Sequence, residues 1–479
     1  MFNFDNSFLS LPEKFYSRVH PSPVAKPEMV LLNKELLKVL TIHSKNSKEY
    51  IAELSGNKTT QTSTPFSQAY AGHQFGHFTM LGDGRTVILG EHITADNKRF
   101  DVQLKGCGQT PYSRRGDGRA TLKAMLREYF ISEAMHYLNI PTSRSLAVVK
   151  TGEPVYRETA NEGAVLTRIM KSHIRIGTFE FARYFGTTDD LRELVHYTLK
   201  RLYPEVEHGE IPALSLLEKV MRIQIDLVAQ WMRVGFIHGV MNTDNTSISG
   251  ETFDYGPCAF MNTYNPQTVF SSIDNNGRYA FDNQPGIIKW NISRLAEALL
   301  PLIHKDTETA IKLAQKTIDA FDILWNEKYY QTMLNKLGIQ NVNYKDNTLV
   351  DELLELMKTS KLDYTNTFSA LSLEIDFENN PIHDPALKNW LEKWKGRISE
   401  NNNGFRKAKS IMKENNPVFI PRNHLTEEAL NKAAAGNFSL FDTLLDVLKT
   451  PYRYNESSHS YLLPPKQEFD KNYQTFCGT

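Results

Sequence analysis

Val234–Pro257, VGFIHGVMNTDNTSISGETFDYGP, concentrates chemistry-bearing side chains in one loop. It delivers His238, then a carboxylate beside an amide at Asp244-Asn245, then a second carboxylate in Asp254-Tyr255-Gly256. Carboxylate and amide oxygens are the ligands that hard divalent cations prefer, and such cations bridge phosphate oxygens. On the N-terminal side, Leu214 to Phe236 reads LSLLEKVMRIQIDLVAQWMRVGF, apolar enough to predict a buried helix leading into the loop.

Protein kinases carry H-R-D-x-x-x-x-N followed by D-F-G, in which the first Asp is the base and the Asn and second Asp hold metal ions. Aligned on His238, the metal-binding Asn falls on Asn245 and the D-F-G Asp on Asp254. The base position is Val240. A valine cannot take a proton from a hydroxyl, so the loop implies either a catalytically silent chain or phosphate chemistry with a different base.

Further upstream, QAYAGHQFGHFTMLGDGRTVILGEHITADNKRFDVQLKG begins at Gln68 and alternates glycines with short apolar runs. TVILGEHI and FDVQLK predict strands of a small antiparallel sheet, with turns at Asp83-Gly84 and Asp96-Asn97. Gly72 to Gly76 and Gly82 to Gly84 precede Lys105 at the end of the last strand. Such glycines let backbone N–H groups approach phosphate, with Arg85 adding a fixed charge, and they equally serve ordinary hairpin turns. A second Gly- and Arg-rich loop, GCGQTPYSRRGDGRA, leads to TLKAMLREYFISEAMHYLNI, whose apolar residues recur at helical spacing. That helix is expected to start at Asp117 or Gly118 and carries Glu128. A strand lysine followed by a helix glutamate is the order in which kinases build the pair that aims an ammonium at a nucleotide phosphate. Arg168 and Arg175 follow, at a separation that allows both to face one anion or to make surface salt bridges. Beyond Tyr279 the pattern is largely helical, with turn-rich breaks near Asn343, Asn379 and Asn401. The expected organisation is an extension over 1–65, a β-rich lobe over 66–150 and a helical lobe over 151–479 containing the loop and the C-terminal tail.

Composition narrows the function classes. Lys plus Arg and Asp plus Glu number 55 each over 479 residues, so no global field recruits nucleic acid or an anionic membrane. Three cysteines, Cys107, Cys258 and Cys477, are too few and too scattered for a disulfide framework or zinc site. No H-E-x-x-H occurs among the 14 histidines, no basic, apolar leader opens the chain, and no apolar run approaches the ~20 residues that span a bilayer. The expectation is a soluble cytoplasmic protein, monomeric, with neither nucleic-acid nor membrane partners.

The segments YAGHQFG, LGDGRTVILGE, QLKGCGQTPYSRRGDGRA, IRIGTFEFA, VGFIHGVMNTDN with FDYGP, GRYAFDNQP followed by WN, and the late RNHL and LPP stand in one order over most of the chain. In them the chain resembles the selenoprotein O family of pseudokinases. That resemblance implies an α+β, protein-kinase-like fold, with a small β-rich nucleotide-binding lobe and a larger, mostly helical one. It also implies transfer of AMP, rather than the γ-phosphoryl group, from ATP to hydroxyl side chains of proteins, with ATP reversed end for end relative to a kinase.

By the same resemblance Asp244 is the proton acceptor, which removes the difficulty at Val240. Asn245 and Asp254 would hold Mg²⁺ or Mn²⁺, and Lys105, positioned by Glu128, would contact phosphate. Gly82, Gly84, Arg85, Asp117, Gly118, Arg168 and Arg175 match the family's nucleotide-contacting positions, and the two late arginines would receive the departing β- and γ-phosphates. UTP is a second possible donor. An ordinary phosphotransferase and an inactive nucleotide-binding scaffold stand as alternatives. Some members carry selenocysteine in the tail where this chain has Cys477, and the tail cysteine is thought to pair with one downstream of D-Y-G. The corresponding stretch here, TVFSSID, has Phe270 instead. Cys258 is the nearby substitute, so the alternatives are a Cys258–Cys477 disulfide or two independent thiols.

Overall fold

The computed structural model describes residues 2–42, 47–340, 343–373, 381–400 and 404–476. Its strands are β1 Phe4–Asp5, β2 Tyr16–Arg18, β3 Glu28–Leu32, β4 Phe66–Gln68, β5 Ala71–Gln74, β6 His77–Met80, β7 Thr86–Ile93, β8 Arg99–Lys105, β9 Arg144–Tyr156, β10 Ala160–Met170, β11 Phe236–Ile237 and β12 Ala259–Phe260. Eight of them form one antiparallel sheet in the order β2-β4-β7-β8-β10-β9-β3, with β1 added beside β7. β5 and β6 make a separate hairpin.

Period-two alternation sorts the strand residues onto two buried faces. Val87, Leu89, Val102, Leu104, Val149 and Val165 pack with Leu36 and Leu40 around helix α1 (Lys34–Val39), and with Leu54 of helix α2 (Ser47–Leu54). Ile88, Val148 and Leu166 face the other way, onto Leu122, Met125 and Leu126 of helix α3 (Leu122–Tyr137). Parity then decides the chemistry. Lys105 pairs in register with Leu166, and Arg168 with Gln103, so Lys105 and Arg168 share the face that α3 covers. At Gly90, φ is +152°, and a Cβ would sit 2.7 Å from the Phe4 ring, so glycine lets β1 lie against the bulged β7.

Three expectations change. The sheet takes β1, β2 and β3 from the expected extension, and the expected boundary at 150 falls inside β9. The reason is that β9 and β10 form one long hairpin buried on both faces, which carries the sheet to Met170. The α3 helix begins at Leu122, where the Thr121 side chain caps the Ala124 N–H, rather than at Asp117 or Gly118. Asp117 instead pairs with Arg157 at 2.8 Å, and Gly118 at φ +67° lies against the Gly108 carbonyl. Asn343 caps a 3-10 turn as a break residue, while Asn379 and Asn401 lie outside the described residues.

After the sheet come helices α4 (Ile176–Phe185), α5 (Thr188–Leu202), α6 (Pro212–Val234) and α7 (Gln284–Ile303), then further helices to Asn472. The amphipathic α6 buries Leu217, Val220, Met221, Val228 and Trp231 and ends at Gly235, whose φ of +72° stops the helix. β11 follows at once and pairs with β12, closing the intervening 238–258 segment into a loop against the sheet lobe. Strand lysine, helix glutamate and a loop between helical elements thus follow the two-lobe protein-kinase plan in an α+β chain.

Candidate active site

Four charged side chains meet where the sheet, α3 and the loop converge. Lys105 Nζ lies 2.6 Å from Glu128 Oε2 and 2.5 Å from Asp254 Oδ1. Arg168 donates Nε to Glu128 Oε1 at 2.9 Å, brings Nη2 to the same oxygen, and reaches Asp254 Oδ1 at 2.5 Å. Two cations and two carboxylates make the cluster self-neutralising, as the buried Lys105, Glu128 and Arg168 require, with Asp254 half-buried at its edge. Burial by itself would raise the Glu128 and Asp254 carboxyls, but Arg168 and Lys105 outweigh it and hold both below the usual carboxylate range. Both cations use the single oxygen Oδ1 of Asp254, leaving Oδ2 outside the cluster. Asp254 has φ +63°, a costly conformation for a residue with a Cβ, so its surroundings must impose it.

Across the cavity the loop turns through Thr243–Asn245. The β5–β6 hairpin holds this turn: His73 N–H donates to Thr243 Oγ1 at 2.8 Å and Phe75 N–H to Asn242 Oδ1 at 3.0 Å. Tyr279 adds its hydroxyl to Asn242 Oδ1 at 2.5 Å. Gly72 is required because a Cβ there would meet Asp244 Oδ1 at 2.5 Å. Asp244 is buried; Gln74 Nε2 stands 3.5 Å from its Oδ2, and among the described residues Oδ1 has no hydrogen-bond partner. Burial pushes its carboxyl up to about 6, with Arg175 pulling the other way. Asn245 donates Nδ2 to the Val240 carbonyl at 3.2 Å, which leaves its side-chain oxygen as an acceptor.

Arg175 caps α4 and lies 4.0 Å over the Tyr70 ring and 3.6 Å from Asp83, with Nη1 on the Asp244 carbonyl at 3.2 Å. The Gly82–Arg85 and Gly106–Arg119 segments pack on each other: Gly106 N–H donates to the Arg85 carbonyl at 2.8 Å, and Ser113 Oγ to the Gly84 carbonyl. A Cβ at Gly84 would meet the Tyr112 carbonyl at 2.9 Å, so loop-to-loop packing already accounts for that glycine. These residues border one cavity of about 980 Å³. Gly82, Gly84, Arg85, Lys105, Asp117, Gly118, Glu128, Arg168, Arg175, Asp244, Asn245 and Asp254 all line it, so the structure brings every predicted site residue to a common space. Asp117 is the most peripheral, exposed and paired with Arg157.

Over residues 1–449 the chain matches the family described as Protein adenylyltransferase SelO. The chain belongs to the SelO family. Relatives described as Protein nucleotidyltransferase YdiU are 52% identical in Brevibacillus brevis, 51% in Anoxybacillus flavithermus and 50% in Bacillus thuringiensis, each match covering 100% of this chain and at least 98% of the relative. ROP2 from Toxoplasma gondii, a virulence factor with a protein-kinase fold and no enzymatic activity, overlaps 76% of this chain and 95% of its own at 10% identity, with a TM-score of 0.24, too low to carry weight.

In this SelO-family chain several cavity residues escape sequence reading. Tyr70 and Gln74 sit in the YAGHQFG segment, and Asp83 sits in LGDG, where a turn explains it equally well. Arg127 is adjacent to Glu128 and carries no helical-face signal of its own. Glu427, Tyr473 and Thr475 arrive at the cavity from the far end of the chain with no local motif to announce them. Among the described residues no cluster of three or more His, Cys, Asp or Glu could hold a metal, and no helix is long and apolar enough to cross a membrane. Cys258 is a buried free thiol that burial pushes up to about 12. Cys477 lies outside the described residues.

Proposed function

We propose that this chain transfers AMP from ATP to Ser, Thr or Tyr hydroxyls of proteins and releases pyrophosphate. The observation that carries the reading is the contrast between Val240 and Asp244. The kinase base position is an inert side chain, while a buried carboxylate with an unpartnered oxygen and a value near 6 stands on the same cavity wall. A general base works best near the ambient pH.

The acceptor oxygen attacks the α-phosphorus of ATP, its proton passes to an Asp244 carboxylate oxygen, and the bond from the α-phosphorus to the bridging oxygen breaks. Pyrophosphate leaves with that electron pair. Arg168 and Arg175 would receive its negative charge. Arg168 is already fixed by Glu128 and Asp254, and Arg175 by Asp83 and Tyr70, so little reorganisation accompanies charge development. Lys105, held by Glu128, adds a third cation on the same side.

Asn245 and Asp254 fit a hard divalent cation. They offer one amide oxygen and one carboxylate at the cavity wall, and Mg²⁺ or Mn²⁺ in nucleotide sites uses one or two carboxylates plus substrate phosphates. When bound, the ion would supply charge neutralisation at the phosphates. The decisive experiment uses ATP labelled at either the α- or the γ-phosphate, with unlabelled UTP as a competing donor. Retained α-label is the expected result. Retained γ-label would mean phosphotransfer, and no label a nucleotide-binding scaffold.

A further inference from the structure

The three carbonyls after Asp254-Tyr255 are each held by a hydrogen bond from another part of the chain. Arg127 donates Nε to the Gly256 carbonyl at 3.1 Å and Nη2 to the Cys258 carbonyl at 2.7 Å. Thr475 donates Oγ1 to the Pro257 carbonyl between them at 2.6 Å. Arg127 is in turn fixed by Glu427, on the Asn423–Ala434 helix, at 2.7 Å. The same carboxylate reaches Lys123 at 3.1 Å and accepts the Tyr473 hydroxyl at 3.0 Å. The tail at Thr475 is anchored independently: Thr475 N–H donates to the Phe270 carbonyl at 2.8 Å, and Ser272 N–H to the Thr475 carbonyl at 2.9 Å. Glu427 therefore joins α3, the segment after Asp254 and the C-terminal tail.

That segment has a specific need for such a clamp. Asp254 is held in the left-handed region, and an unfavourable backbone conformation persists only when its surroundings over-determine it. Tyr255 is anchored in the core by Thr142, but Gly256 and Pro257 pass along the cavity wall, where Arg127, Glu427, Tyr473 and Thr475 also stand, before Cys258 returns to the core. The core packing of α3 uses other groups, among them Phe130 against Phe441 at 5.1 Å, so the carboxylate of Glu427 is not what holds the helix in place.

We propose, resting on the adenylyl-transfer reading for its kinetic consequence, that Glu427 is a positioning residue: through Arg127 it sets the path of Gly256–Cys258 and thereby the placement of Asp254 against Lys105 and Arg168. Thr475 and Tyr473 complete the clamp. Neither Glu427 nor Thr475 touches the reacting atoms; both act through the backbone that follows Asp254.

The test compares Glu427→Ala, Glu427→Gln and Thr475→Val in the full chain. Amide hydrogen exchange over residues 254–260 is read without nucleotide. Incorporation from α-labelled ATP is read into the protein itself and into casein as a hydroxyl-bearing acceptor. Glu427→Ala is expected to speed exchange in 254–260 by about tenfold or more and to lower kcat by about tenfold, with Tm and exchange elsewhere nearly unchanged. Glu427→Gln, whose amide oxygen still accepts from Arg127 and Tyr473, is expected to restore both to within about threefold of the parent. Thr475→Val should show the same local change at smaller size. Unchanged exchange in 254–260 for Glu427→Ala overturns the proposal. So does a general rise in exchange with a matching fall in Tm, or a kcat loss that Glu427→Gln does not repair. A parent protein that incorporates no α-label refutes adenylyl transfer, while the exchange measurement still decides whether the clamp exists.

Discussion

Replacing Asp244 by Asn separates chemistry from stability in opposite directions. The carboxyl is buried with an unpartnered Oδ1, and burial raises it from 3.8 to about 6, a shift worth about 3 kcal/mol. A folded-state value above the unfolded one means that the contribution to stability is fully present below pH 3.8 and is lost as pH rises through about 6. Asp244→Asn cannot ionise, so it should be more stable than the parent above pH 6, by up to about 3 kcal/mol, and show no advantage below pH 4. At about 2.1 cal/mol/K per residue over 479 residues, that gain amounts to about 3 °C in Tm. Melting curves in excess EDTA at pH 4 and pH 7.5 measure it without interference from bound metal. On the same preparation, AMP transfer should fall roughly 10²–10⁴-fold, the usual worth of a general base, while ATP affinity stays near the parental value. Transfer at close to the parental rate with normal ATP binding would remove Asp244 from the mechanism. A collapse of ATP binding would make it a metal ligand instead, and an unchanged Tm difference between the two pH values would refute the burial argument.

Lys105→Ala and Glu128→Gln should each weaken nucleotide binding or transfer and combine less than additively, with a coupling of about 1 kcal/mol or more; fully additive losses in the double-mutant cycle would mean that the 2.6 Å contact has no functional weight. Arg175→Ala should lose affinity for ATP far more than for AMP, as read by calorimetry, and equal losses for the two ligands would place this guanidinium away from the β- and γ-phosphates. Glu251 is buried and raised from 4.5 to about 7, so its contribution to stability falls as pH rises through that window. Glu251→Gln, which can still accept from Ser249 and the Lys171 N–H, should stabilise the protein by up to about 3 kcal/mol at pH 8 and by nothing at pH 4; equal melting shifts at both pH values would contradict this.

What the amino-acid order determines by itself is local. The short apolar runs TVILGEHI and FDVQLK, bounded by turn residues, helical spacing in LREYFISEAM, and the apolar run before Gly235 predict β7, β8, α3 and α6, because each signal lies within a few neighbouring residues. The spacing of Asn245 and Asp254 after His238 is also local, so the loop and its missing base at Val240 are legible before any contact is known. Tertiary structure decides the partners. Arg168 pairs with Glu128 because antiparallel register puts it on the same sheet face as Lys105, and register depends on β8 and β10, far apart in the chain, packing together. Sequence marks α3 but misplaces its start, since Asp117 and Gly118 are claimed by Arg157 and Gly108 through loop packing. Arg127 finds Glu427 across 300 positions and Thr475 reaches Pro257 across 218. No propensity or period encodes such a meeting, because its free energy comes from burying whole elements against one another, and only the assembled core brings the tail to the cavity wall.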